Sequence, residues 1–142
     1  MIKSSVTISR VSQIKNGSRI YWDPFEASNE KAEGIGFDGV ELIAATVDAI
    51  DFNTFENLLK RNNNGLSAID TGAGKAILGL KHPDPNVRKV AITFDSCMIR
   101  FGALYGTSAI IGSMQGIFAP YLNKEQSISW LVEGLNFLIR VA

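Results

Sequence analysis

Histidine and cysteine are nearly missing from this chain: Cys97 and His82 are the only ones in 142 residues. A lone cysteine excludes an internal disulfide framework. One Cys with one His also excludes a zinc site of the usual Cys/His kind, so any metal would need carboxylates or ligands from another chain. Neither sign of charge is in excess, because 14 Lys+Arg balance 14 Asp+Glu. Such a chain offers no field to hold a phosphate backbone, and nucleic acid is not expected as a partner. Long apolar runs are absent too. No stretch reaches the roughly 18 residues that a membrane span needs. The opening MIKSSVTISRVSQIKNG alternates apolar and polar residues, where a secretory signal would carry an apolar segment of about 7–15 residues. The expected setting is cytoplasmic, without membrane contact.

What is present is a repeated phrase of strand, loop and helix, four times over. Apolar residues make up 46% of the chain, enough for one domain that buries about two-thirds of its unfolded surface. The first strand is expected at residues 3–9, where Val6 and Ile8 alternate with polar residues. Asp23-Pro24-Phe25-Glu26 reads as a capped helix start, with a stop at Gly34 and Gly36. The second strand covers residues 39–43. Asn53 and Glu56 form a capping-box pair for a helix that stops at Asn62-Asn63-Asn64-Gly65. A third strand at residues 66–70 leads through a long loop to Asp84-Pro85. These open a helix whose apolar stripe is Val87, Ala91, Phe94, Met98 and Phe101. A fourth strand at residues 108–112 precedes a helix opened by Asn123 and Gln126, with Ile128, Leu131, Val132, Leu135 and Ile139 on one face.

Strands separated by helices imply an α/β fold with a parallel sheet and right-handed crossovers. Two architectures fit: a small open sheet, or half of a (β/α)8 TIM barrel. A whole barrel takes about 250 residues, so on the second reading this single domain, residues 1–142, stops midway. Two unpaired strand edges would then invite a dimer or await a missing C-terminal half.

In either architecture ligands bind at the carboxyl ends of the strands, and four segments there stand out. GFDGVEL (residues 36–42) puts Glu41 in an apolar strand, where a buried carboxylate is costly without partners. It reads either as a hydroxyl acceptor or as a strand residue facing a helix and paired with Lys or Arg. Asp70-Thr71-Gly72 leaves the third strand with a glycine that lets backbone approach a ligand. Asp70 there reads as a metal or hydroxyl ligand, or as the cap of the following turn. His82, the one residue with a neutral-pH proton switch, reads as a ligand contact or as part of a helix-start loop. IIGSMQG (residues 110–116) leaves an apolar strand through Gly112, Ser113 and Gln115, small and polar groups suited to a polyhydroxylated substrate, with Met114 packing inward. Cys97 is expected to be buried beside the helical stripe. No triad, Cys/His pair or carboxylate cluster specifies a reaction.

Taken in order, GFDGVEL, a strand ending in TGAG, HPDPNVRKVAI (residues 82–92) and AIIGSMQG (residues 109–116) resemble the sugar phosphate isomerase/epimerase family of xylose-isomerase-like barrels. The resemblance runs along essentially the whole chain and is strongest at HPDPNVR and IIGSMQG. It implies proton transfer next to a sugar carbonyl through an enediolate, with a divalent metal (Mn, Mg or Co) on the substrate oxygens. In the family the metal ligands and the two proton-shuttling glutamates come from strands five to eight, so this chain alone is expected to bind no metal and to be inactive. Its share would be pocket lining for a sugar or sugar phosphate: Glu41, Gly72, Gly112, Ser113 and Gln115, with His82 as a further candidate. Relatives place a basic residue after MQG; here Ile117 stands there, which implies a changed hold on an anionic substrate. The alternative is a non-enzymatic α/β binding or interaction module. A third relation in the same superfamily, an apurinic-site endonuclease, would need several metal-binding His and acidic residues and a basic face, which the composition lacks.

Overall fold

The computed structural model describes residues 3–11, 20–72, 79–117 and 121–142. Five strands, β1 (Ser5–Ser9), β2 (Ile20–Tyr21), β3 (Gly39–Ile43), β4 (Gly65–Asp70) and β5 (Ser108–Ile110), form one sheet in the order β2-β1-β3-β4-β5. Every pairing is parallel. Four helices connect them: α1 (Phe25–Ile35), α2 (Phe52–Arg61), α3 (Pro85–Leu104) and α4 (Lys124–Ile139).

Alternation decides which side of the sheet is covered. Val6, Ile8, Val40, Leu42, Leu66 and Ile69 pack with Ala32 of α1, Phe55 and Leu59 of α2, and Met98 and Phe101 of α3 in one buried cluster. Helices α1 to α3 therefore lie on the same face, whereas a doubly wound open sheet has helices on both. A second cluster joins Leu80, Ala91, Met114 and Leu138 between α3 and α4.

The uncovered face is concave. Ser5 of β1 and Ser67 of β4 flank β3, and in a flat sheet strands two apart lie about 9–10 Å from each other. Their hydroxyl oxygens are nonetheless 2.6 Å apart. They meet over Gly39, which has no side chain to hold them off, and a Cβ at Gly39 would lie 2.6 Å from the Gly65 carbonyl oxygen. A bulge opposite Val40/Glu41 supplies Ser67 as the extra residue, and bulges bend strands. Curl, strand order and one-sided helices together settle the architecture as half of a (β/α)8 barrel.

Several local expectations change. The cap of α1 is Pro24, with no side-chain hydrogen bond; Asp23 instead lies 3.1 Å from Lys31 Nζ. Gly34 sits inside α1, and only Gly36 ends it, at φ 92°. Asp51, not Asn53, caps α2 by accepting from the amides of Asn53 and Thr54. The starts of α3 at Asp84 and α4 at Asn123 are as expected, each side chain accepting an amide two or three residues on. Strand β5 ends at Ile110, and Gly112 opens a 3-10 turn at φ 42°. The unforeseen β2 pairs with β1 at Thr7 and Ile8, so the β1 edge is partly covered rather than open. Two residues carry too little periodicity to be read as a strand.

The apolar face expected for α4 is also corrected. Its buried residues are Ser127, Gly134 and Leu138. Ile128, Val132 and Ile139 are 47%, 49% and 71% exposed. A helix with two apolar faces has buried only one of them here. Cys97 is exposed, not buried.

Candidate functional site

The concave face is built from residues that alternate with the core. Thr7, Glu41, Ala68 and Ser108 form one row across the sheet, and Ser9, Ile43, Asp70 and Ile110 the next row toward the carboxyl ends. The interior of a barrel half is thus lined by Thr7, Glu41, Ser9 and Asp70, where complete barrels favour branched apolar side chains.

Glu41 sits mid-strand on this face, half-buried and in none of the ion pairs among the described residues. The helix-facing, Lys- or Arg-paired reading is therefore corrected. Burial raises its pKa above the ordinary carboxylate value, the Asp70 charge raises it further, and a hydrogen bond with the Thr7 side chain opposes both. A carboxylate held so is a better proton acceptor than a solvated one, and it lies beside a second acid.

Asp70 closes the turn that leaves β4. Its Oδ1 accepts from the Gly72 amide at 2.6 Å, so the turn-capping reading describes one of its oxygens. A Cβ on Gly72 would lie 2.8 Å from that oxygen and 3.3 Å from Ser113 Oγ. The absence of a side chain thus brings Asp70, Gly72 and Ser113 together at the mouth. Thr71, which sequence reasoning passed over, fixes this arrangement. It is fully buried, and its hydroxyl donates to the Ile110 carbonyl at 2.8 Å, tying the exit of β4 to that of β5. A threonine directly after an apolar strand was the available signal.

The other candidates lie around this mouth. Gly112, Ser113 and Gln115 share the exposed 3-10 turn after β5, while Met114 is fully buried. The backbone of that turn pairs with residues 80–81, Leu80 donating to the Met114 carbonyl at 2.9 Å and Lys81 to the Gln115 carbonyl at 3.2 Å. His82 follows directly, exposed. Its Nδ1 accepts from the Asp84 amide at 3.1 Å and its carbonyl from Arg88 at 2.7 Å. The structure therefore spends this imidazole on the start of α3, and no hydrogen bond joins it to Glu41, Asp70 or Gly72. Ile117 is 88% exposed.

Among the described residues no group of three or more His, Cys, Asp or Glu could hold a metal ion. Among the described residues Glu41 and Asp70 are the acids in the two inward rows of the sheet, and one oxygen of Asp70 is already taken by Gly72. The donor set does not fit a divalent metal. A cavity of about 860 Å³ lies at the opposite, amino end of the strands beside Lys3, Asp38, Asn62 and Tyr105. In barrel enzymes that end serves stability.

No family model and no curated protein matches this sequence. Solved structures do. A D-psicose 3-epimerase determined with D-fructose aligns at TM-score 0.67 and 19% identity over 97% of this chain and 49% of its own. A D-allulose 3-epimerase from Methylomonas sp., in complex with D-allulose, aligns at TM-score 0.66 and 15% identity over 99% and 48%. An AP endonuclease of family 2 from Brucella melitensis aligns at TM-score 0.65 and 14% identity over 98% and 50%. The chain spans about half the length of each structure it matches. At these identities the likeness is one of fold: the chain has the architecture of half a TIM barrel.

Proposed function

We propose that this chain is the N-terminal half of a sugar isomerase or epimerase barrel, and that it supplies one wall of a polyol pocket. The observation that carries the reading is the concave polar face, where Glu41 has a raised proton affinity between Thr7 and Asp70. Two epimerases among the structural neighbours were solved with ketohexoses. Glu41 and the free oxygen of Asp70 accept hydrogen bonds from sugar hydroxyls, and the Ser113 hydroxyl donates or accepts at the mouth. Gly72 and Gly112 leave room for the ring, and Gln115 covers its rim. Chemistry next to the carbonyl belongs to groups that this half lacks, so the chain alone binds without turning over. The rest of a barrel, or a second copy, covers β5 and the outer face of α4. The reading includes a cytoplasmic setting; no helix among the described residues is long and apolar enough to cross a membrane.

Titration with D-fructose or D-allulose followed by amide NMR tests this. Shifts at Glu41, Gly72 and Ser113, weakened at least about tenfold in Glu41→Ala, are expected. Saturating sugar that leaves those three amides unmoved overturns the reading. One observation favours the second reading, a small self-contained binding module: β2 already covers part of the β1 edge. Slow amide exchange along both β1 and β5 in a clean monomer would decide for it.

A further inference from the structure

On the outer side of the molecule, away from the concave face, α3 and α4 leave a groove of about 490 Å³ between them. That volume is in the range of small-molecule pockets. Its floor is apolar, formed by Leu80, Ile92, Trp130 and Phe137. Gly134 deepens it, since a Cβ there would come within 3.2 Å of the Leu80 side chain.

The rim is cationic. Arg88, Lys89 and Arg100 face a single acid, Glu133, and among the described residues none of these cations is in an ion pair. Arg88 is fixed in advance. Its guanidinium lies 4.6 Å from the centre of the Trp130 ring, and one nitrogen donates to the His82 and Pro83 carbonyls at 2.7 and 3.0 Å. Its remaining N–H groups are left to bind an anion, with the side-chain entropy already lost. A second feature points into the same groove. Ser96 lines it, is only 7% exposed, and its hydroxyl has no hydrogen-bond partner among the described residues. A buried hydroxyl without a partner is costly, and a ligand oxygen would satisfy it.

We propose that this groove binds a small anionic amphiphile: an apolar body lying along Ile92, Trp130 and Phe137, with a carboxylate or phosphate held by the arginine–lysine rim. The proposal does not depend on the sugar reading, because the groove lies between two helices and is lined by none of Glu41, Asp70, Gly72, Gly112, Ser113 or Gln115.

The test titrates the intact chain with 1-naphthyl phosphate by calorimetry and follows the indole N–H signals of Trp130 and Trp22 by NMR. Saturable binding that moves Trp130 but not Trp22 is expected. Uncharged 1-naphthol, and the phosphate against a Lys89→Glu, Arg100→Glu double variant, should both bind at least about tenfold more weakly. Ser96→Ala should weaken binding without lowering the melting temperature. Val132→Glu, on the other face of α4, should leave it unchanged. Equal affinity for the phosphate and the naphthol, wild-type affinity in a folded double variant, or no binding to the folded wild type each overturns the proposal. So does tight capture of an acidic peptide with no binding of the phosphate, which would make the groove a protein contact.

Discussion

Asp95 sits on α3 between Ala91 of one buried cluster and Met98 of the other, and no part of it reaches solvent. Neither carboxyl oxygen has a hydrogen-bond partner among the described residues. Burial alone pushes its pKa up from 3.8 to about 7, with no charged neighbour contributing. In the unfolded chain the group ionises near the ordinary value; in the folded chain it holds its proton until about pH 7. The folded value is the higher one, so this group favours folding fully below pH 3.8, and that contribution is lost as pH rises through about 7. The difference corresponds to about 4 kcal/mol, a large share of the roughly 5–15 kcal/mol that holds a domain together. Asp95→Asn keeps the shape and removes the ionisation. Urea unfolding of both proteins between about pH 4 and pH 8 should give midpoints that separate by about 2 M at the alkaline end, for a slope near 2 kcal/mol per molar. The variant should be the more stable there. Glu41, whose proton affinity is also raised, acts in the same direction in both proteins and cancels in the comparison. Asp38 and Asp51, lowered by hydrogen bonds from Ser4 and Thr54, act with the opposite sign: their contribution is lost as pH falls. Parallel midpoint curves for wild type and Asp95→Asn would refute the reasoning, because they would mean that the carboxylate finds a partner in solution.

Further tests address the curl, the core and the caps. Gly39→Ala should cost at least about 2 kcal/mol by thermal melting, since overpacking is destabilising and the new methyl would lie 2.6 Å from the Gly65 oxygen. Met98→Ala, at a fully buried position in the cluster that holds Phe101 and Ile69, should cost about 2–5 kcal/mol in urea unfolding. Asp84→Ala removes the side chain that accepts the Asn86 amide at 2.8 Å and should cost about 1 kcal/mol. Arg61→Ala, by contrast, breaks two exposed ion pairs with Glu26 and Glu30 and should change stability by less than about 1 kcal/mol.

The strands and helices were legible where local chemistry is decisive. Asp84-Pro85 and Asn123 announce helix starts because a short acceptor side chain meets orphan amides there. Val6 and Ile8 mark β1 because one face of it is buried. Legibility fails where a residue's role depends on a distant segment. Asn53 and Asp51 are both competent caps, and only the backbone angle at Asp51 decides between them. Glu41 looked like a liability in an apolar strand. Its meaning depends on Thr7 and Asp70, which come beside it only through the register of three strands. Thr71 is an unremarkable residue until the Ile110 carbonyl is placed against it. The residues of IIGSMQG lie at the strand exits, whereas His82 follows the second of its two readings and is engaged in the start of α3.

The two ends of the curved sheet are not equivalent, and that asymmetry predicts how the chain associates. In a closed eight-stranded barrel the outer edge of β1 receives the last strand and the outer edge of β5 receives the next one. Here Ile20 and Tyr21 already pair with Thr7 and Ile8, so the first edge offers fewer free backbone groups. The β5 edge is uncovered among the described residues, and α4 carries an exposed apolar stripe at Ile128, Val132 and Ile139. A surface of this kind is rarely left to water. The isolated chain should therefore self-associate through the β5–α4 end. Val132→Glu, placing a charge in the middle of the stripe, should shift the sedimentation equilibrium toward monomer without lowering the melting temperature, because Val132 is already half exposed. Tyr21→Glu, at the other end, should leave association unchanged. If Tyr21→Glu dissociates the protein and Val132→Glu does not, contact runs through the β1 edge, and β2 must be displaced when copies meet.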